Sequence, residues 1–246
     1  MAEAAKHLIE WDQTRERLYE TGTDHGVLYP QASDGTYPKG VAWNGLTGFT
    51  ESPEGAEANA IYADNIKYLN LRGAEDYGAT ITAYTYPEEF EECNGRKKAA
   101  GGVYFGQQPR AAFGFSCRTL VGNDVDGEKH GYKLHLVYGC TASPSEMAYQ
   151  TINDSPEAIE FSWDIDTIPC GEVPDGFKPT AAVTIDTTKL TLEYDDTTGA
   201  PTSRDAINLK TLEDKLYGIA PVTEGATGTP AYLPLPTEVI TIMSAT

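Results

Sequence analysis

Hydrophobic and polar positions alternate along much of this 246-residue chain. In residues 158–167, Ile159, Phe161, Trp163 and Ile165 interleave with Glu160, Ser162, Asp164 and Asp166. Successive side chains of a strand point to opposite faces, so the pattern predicts a strand with one buried and one polar face. Residues 78–86 predict another, with Thr80, Thr82, Tyr84 and Tyr86 opposite Ala79, Ile81, Ala83 and Thr85, ended by Pro87. A hairpin is predicted from residues 111–121 and 131–140, joined by a polar loop over 122–130. Its first arm sets Phe113, Phe115 and Cys117 against Ser116 and Arg118. Its second sets Tyr132, Leu134, Leu136 and Tyr138 against Lys133, His135 and Val137.

Elsewhere the pattern is shorter. Strands are expected over 11–19, 43–52, 181–185 and 190–194, with a turn at 22–26 and loops over 31–42 and 195–204. Residues 53–63 read as an irregular connection. A short helix is expected over 87–93, where Pro87 suits the first turn, the glutamates suit its positive end and Gly95 suits its stop. A second helix is expected from a capping motif at Thr211 to Tyr217, with Gly218 as cap and Leu209, Leu212 and Leu216 facing a core. From Pro221 onward Pro230, Pro234 and Pro236 predict an extended tail, ending in the apolar run 239–243. There is no internal repeat. The reading is a single domain over 1–246, mainly β, with extended segments at 31–63 and 221–246.

Composition supports strands and tight turns: Tyr (15) and Gly (24) are plentiful. Eighteen Lys and Arg against 37 Asp and Glu leave a net charge of −19, which argues against binding nucleic acid through its phosphates. No apolar stretch is long enough to span a bilayer, and the first ten residues hold only the apolar pair Leu8-Ile9, so no membrane and a cytoplasmic place of synthesis are expected. Cys93, Cys117, Cys140 and Cys170 lack zinc-site spacing and are expected as free thiols.

Motifs that carry chemistry are present only in part. Gly114-Phe115-Ser116-Cys117-Arg118 shares part of a nucleophile elbow but ends in Arg and joins strand to strand. Asp124-Val125-Asp126-Gly127 lacks the third acidic ligand of a calcium loop and has His135 at the twelfth position. Asp164 and Asp166 share a strand face, where a solvated acidic surface is a simpler reading than an acid–base pair. His130 and His135 have no convincing ligand partners. Asn153-Asp154-Ser155 is a glycosylation sequon without a signal peptide, and Arg96-Lys97-Lys98, the sole basic run, reads as a solvated loop. No catalytic residue, metal ligand or cofactor is expected, and the chain is not read as an enzyme.

Several stretches carry a resemblance, in chain order. They are Gly40-Val41-Ala42-Trp43-Asn44-Gly45-Leu46-Thr47, Tyr62-Ala63-Asp64-Asn65-Ile66-Lys67-Tyr68 and Ala83-Tyr84-Thr85-Tyr86-Pro87-Glu88-Glu89-Phe90. Phe113-Gly114-Phe115-Ser116, Gly122-Asn123-Asp124 and Gly131-Tyr132-Lys133-Leu134-His135-Leu136-Val137-Tyr138-Gly139 follow. The last are Thr151-Ile152-Asn153-Asp154-Ser155-Pro156-Glu157-Ala158, Leu212-Glu213-Asp214-Lys215-Leu216-Tyr217-Gly218 and Leu233-Pro234-Leu235-Pro236. Together they resemble the major tail-tube protein family of long-tailed, non-contractile bacteriophages of Gram-positive hosts, over nearly the whole chain. The stretch 195–204 departs as a longer connection.

That resemblance implies a β-sandwich or barrel domain with a flanking helix. It implies hexameric rings stacked head to tail, whose shared inner wall is a ring-shaped β-barrel conducting the genome. The implied partners are further copies of the chain and the tape-measure, terminator and distal tail proteins, with DNA passing through unbound. The implied location is the virion tail. Under it, Arg118, Lys133, His135, Glu160, Ser162 and Asp164 are candidates to face the lumen, and Tyr37, Trp43, Asn44, Tyr62 and Asp64 candidates for ring-to-ring contacts. Rival readings are the tube of a contractile tail or injection machine, a carbohydrate-binding β-sandwich using its Tyr and Trp, and a hydrolase built on Asp164 and Asp166.

Overall fold

A computed structural model describes residues 11–55, 57–149, 151, 154, 158–221 and 228–245. Leu8-Ile9, the sequon positions Asn153 and Ser155, and residues 222–227 of the tail lie outside them. In chain order the first strands are β1 (Tyr19–Pro30), β2 (Val41–Ala42), β3 (Leu46–Glu51), β4 (Glu54–Gly55), β5 (Ala58–Ala63), β6 (Ile66–Arg72), β7 (Glu75–Asp76) and β8 (Gly78–Ala83). Helix α1 (Phe90–Cys93) precedes β9 (Lys97–Ala100), β10 (Val103–Phe105), β11 (Phe113–Asn123), β12 (Gly127–Ala142), β13 (Phe161–Thr167) and β14 (Ala182–Asp186). Helices α2 (Arg204–Tyr217) and α3 (Pro236–Met243) follow. The protein is mainly β, with 43 % strand against 13 % helix.

The principal sheet has the order β2-β1-β11-β12-β13-β8-β3, all pairs antiparallel. Its strands do not close into a barrel. The β11–β12 hairpin forms as the alternation predicts, with a tighter turn. Asn123 Oδ1 accepts from the backbone N–H of Val125 (3.0 Å) and Asp126 (2.5 Å), so pairing runs up to Asn123↔Gly127. Strand β12 is sixteen residues long and forks the sheet. Residues 133–137 pair with β14, and 140–142 pair with β13.

Two cores lie on opposite faces of this hairpin. One packs Phe113, Phe115, Cys117 and Val137 against Trp43, Ile81, Phe90, Trp163 and Ile165. Its centre is aromatic: the Trp43 ring lies 4.6 Å from Phe90 and 5.6 Å from Trp163. The other packs Leu134, Leu136, Tyr138 and Tyr29 against Leu209, Leu212 and Leu216 of α2 and Val239 of α3. The expected polar face of β11 is therefore covered. Ser116 is buried, with its Oγ 3.2 Å from Tyr29 Oη, and Gly114 leaves room for Leu233, whose Cδ2 would sit 2.5 Å from an added Cβ. Buried Ser116 cannot serve as a nucleophile.

Several expectations are corrected. No strand forms over 11–18, and the turn expected at 22–26 lies inside β1. Gly22 (φ 64°) and His25 (φ 51°) sit at two bulges that bend the strand without ending it. Residues 31–63 are not one extended loop, since they contain β2, β3, β4 and β5. The segment 190–194 forms no sheet strand, because its backbone is held by the start of α2. Thr191 N–H donates to Asp205 Oδ2 (2.8 Å), and Glu193 N–H to Ser203 Oγ (3.0 Å). Helix α2 begins well before Thr211: Ser203 is its cap, accepting from Ala206 N–H at 3.3 Å. The apolar run 239–243 belongs to α3, which Pro236 starts from its first turn. Gly218 does cap α2, at φ 78°, and Leu209, Leu212 and Leu216 are buried as predicted. The four cysteines are free, and burial pushes the Cys93 thiol up to about 12.

Replacing Trp163 by Ala should lower unfolding free energy by about 3–5 kcal/mol, and Ser203→Ala by about 1 kcal/mol. Urea denaturation checks both, and a Trp163→Ala loss no larger than that of Ser203→Ala would contradict the aromatic centre described.

Candidate functional site

Strands β3, β8 and β13 end the principal sheet, and each buries only one face. Phe49, Ala79, Ile81, Trp163 and Ile165 turn into the aromatic core. Alternation then sends Thr50, Thr80, Thr82, Ser162, Asp164 and Asp166 to the other side. Register aligns them in rows, Thr50↔Thr80↔Asp164 and Gly48↔Thr82↔Ser162. Hydroxyls fix the carboxylates in place. Thr80 Oγ1 donates to Asp164 Oδ1 at 2.9 Å, Ser143 Oγ to Asp166 Oδ2 at 2.7 Å, and Thr47 Oγ1 to Glu160 Oε1 at 2.5 Å.

No Lys or Arg occurs on these three strands. A cleft of about 540 Å³ below the face adds Glu54 and Asp76 to Asp164 and Asp166. Chemically the surface is a hydrated layer of oriented acceptors with one sign of charge. It repels polyanions and offers phosphate no donor of opposite charge. Among the described residues no group of three or more His, Cys, Asp or Glu side chains is placed to hold a metal ion.

Of the lumen candidates, Ser162 and Asp164 lie on this face and Glu160 stands at its rim. Arg118, Lys133 and His135 do not. Arg118 turns to the helix side, where Nε and Nη2 each reach Asp24 at 2.7 Å and the guanidinium stacks 4.8 Å from the Tyr132 ring centre. That guanidinium holds the Asp24 carboxyl below the usual range. Lys133 pairs with Glu20, and His135 Nε2 lies 2.9 Å from Thr119 Oγ1. All three are half-buried and tied to residues of the neighbouring strands β1 and β11, pairings that the alternation of one hairpin does not reveal.

The contact candidates divide as well. Tyr37 and Trp43 are 2 % and 3 % exposed, and they are core residues of the single chain rather than contact surface. Gly139 N–H donates to Tyr37 Oη at 2.8 Å, and Trp43 Nε1 donates to Thr85 O at 2.9 Å. Asn44, Tyr62 and Asp64 are exposed. Tyr62 and Asp64 belong to an arm that sequence reasoning missed, the β5–β6 hairpin, whose strands pair among the described residues only with each other. The available signal was Asp64-Asn65 between two apolar-rich runs. Both residues have positive φ (50° and 62°), as a tight two-residue hairpin turn requires. Ile61, Tyr62, Ile66, Tyr68, Leu69 and Leu71 are all exposed on this arm.

No protein-family model matches the chain, and no curated protein matches it.

His135 supports a pH prediction. Its Nδ1 lies 3.5 Å from Glu51 Oε1, at the outer limit of a hydrogen bond. Burial pushes the imidazole below its ordinary 6.5, against the opposing pull of Glu51 and Glu20. Above about pH 6.5 the ring is neutral folded and unfolded, so its full contribution is present. As pH falls the unfolded chain takes the proton first, and that contribution is lost through the folded value. The urea midpoint of the wild type should therefore drop more than that of His135→Gln between about pH 7.5 and about pH 5.5. Equal drops would contradict the assignment.

Proposed function

We propose that this chain is a structural subunit, not an enzyme, whose copies stack head to tail into a tube of the phage tail-tube type, with the β3–β8–β13 face lining a channel for DNA. The carrying observation is that face: oriented hydroxyls and carboxylates on three adjoining strands without a single cation. A wall that passes DNA must not hold it. Cation-free carboxylates do this by raising the energy of any phosphate that approaches, while the hydroxyls keep the surface wet. Glu160, Ser162 and Asp164 would line the channel. The β5–β6 arm adds support, because an isolated hairpin bearing exposed apolar side chains calls for a second surface. The partners would be further copies and the tape-measure, terminator and distal tail proteins, and the place of action the virion tail.

Negative-stain electron microscopy of the concentrated protein should show rings with a central hole or hollow tubes. A well-ordered monomer that turns over a substrate or binds a glycan would overturn the reading. The channel assignment has its own test. Tubes carrying Glu160→Lys and Asp164→Lys should retain duplex DNA in a salt-dependent way that wild-type tubes do not. Retention unchanged by the two substitutions would remove these residues from the wall.

A further inference from the structure

Among the described residues the arm has no strand partner outside itself: β5 and β6 pair only with each other, leaving two outer edges open. The pairs Ile61↔Leu69 and Asn59↔Leu71 put Ile61, Leu69 and Leu71 on one face, and all three are exposed.

Elsewhere the chain has an apolar groove of about 430 Å³ between the segment 173–183 and the start of α3. It is lined by Val173, Pro174, Phe177, Pro179, Val183 and Ile240, with Phe177 71 % exposed and Ile240 48 % exposed. Prolines hold its walls, so ordering it on contact costs little entropy. Strand β14 contributes Ala182 and Val183 to the groove and pairs with β12 on one side; on the other, Thr180 Oγ1 holds both backbone groups of Ala182, and from Thr184 onward no strand pairs with that edge among the described residues. An open strand edge beside an apolar trough is the arrangement that accepts an added strand, with backbone hydrogen bonds for affinity and side-chain burial for specificity.

Charges match in both signs. Strand β6 carries Lys67 and Arg72, neither with an ion pair among the described residues, and Asp64 marks the arm's tip. The groove segment carries Glu172 and Asp175, likewise without ion pairs there, and Lys178 in its lining.

We propose that the β5–β6 arm of one copy seats in the β14–α3 groove of the next. The contact joins unlike surfaces of identical chains, so it is heterologous and propagates into an open filament rather than a closed dimer. It rests on the tube-subunit reading for the premise that copies associate, and adds which surfaces meet.

The test uses two substitutions at exposed positions, Leu69→Asp on the arm and Phe177→Asp in the groove, read by size-exclusion chromatography with light scattering. Each variant alone should stop at a smaller species, single subunits or single rings, where the wild type forms tubes. Mixed one to one, the two should form a capped species of twice that mass, because intact arms then meet intact grooves. A mixture that stays at the variants' own mass overturns the proposal. So does Phe177→Asp assembling like the wild type, the outcome expected if arms pair with arms. If either variant still forms tubes, this contact falls and the tube-subunit reading stands. A wild-type chain that stays monomeric at every concentration reached brings down both.

Discussion

Strands β11 and β12 bury both of their faces, so two separate coverings have to come from the rest of the chain. Helices α2 and α3 supply one, through Leu209, Leu212, Leu216 and Val239. Strands β13, β8 and β3 supply the other, through Trp163, Ile81 and Phe49. Each large side chain removed from water contributes about 1.5–3 kcal/mol. The second covering has a consequence for function. A strand that gives one face to a core must present its other face elsewhere, and on β3, β8 and β13 that face is the acidic hydroxyl surface.

The charge of −19 is not spread evenly. Six cations of the body are held in pairs: Arg118 with Asp24, Lys133 with Glu20, Lys39 with Glu89, Lys98 with Glu88, Lys210 with Asp214 and Lys215 with Glu238. Exposed pairs of this kind add little stability, about 0–1 kcal/mol each. Their effect is positional. They keep ammonium and guanidinium groups engaged away from Asp164 and Asp166, whose carboxylates accept from the hydroxyls of Thr80 and Ser143.

Alternation was the legible part of the sequence. It placed Ser162 and Asp164 on an exposed face and Trp163 and Ile165 in a core, because a period of two reports directly on a strand with one wet side. It misled at Ser116, Arg118 and His135, where small or paired polar groups sit beneath a covering contributed by distant segments. Tyr37 and Trp43 were misplaced for a related reason: loop-rich surroundings suggested a surface, yet both rings are core. The β5–β6 arm escaped because β5 is Ala-rich and β6 is exposed along its whole length, so neither strand marks a buried face. Residues 190–194 show the reverse case, a strand-like run whose backbone groups were claimed by the N-terminus of α2.

The fork in β12 sets how the molecule answers to mechanical tension. One edge of β12 is laced to β11 and the other to β14 and β13. A pull along that strand must slide many hydrogen bonds past one another at once, in shear. The β5–β6 arm is held by a single ladder closed by one turn, and a pull across it opens the pairs one at a time. Under stretch the body is therefore the stiff element and the arm the compliant one, and the arm yields before the body begins to unravel.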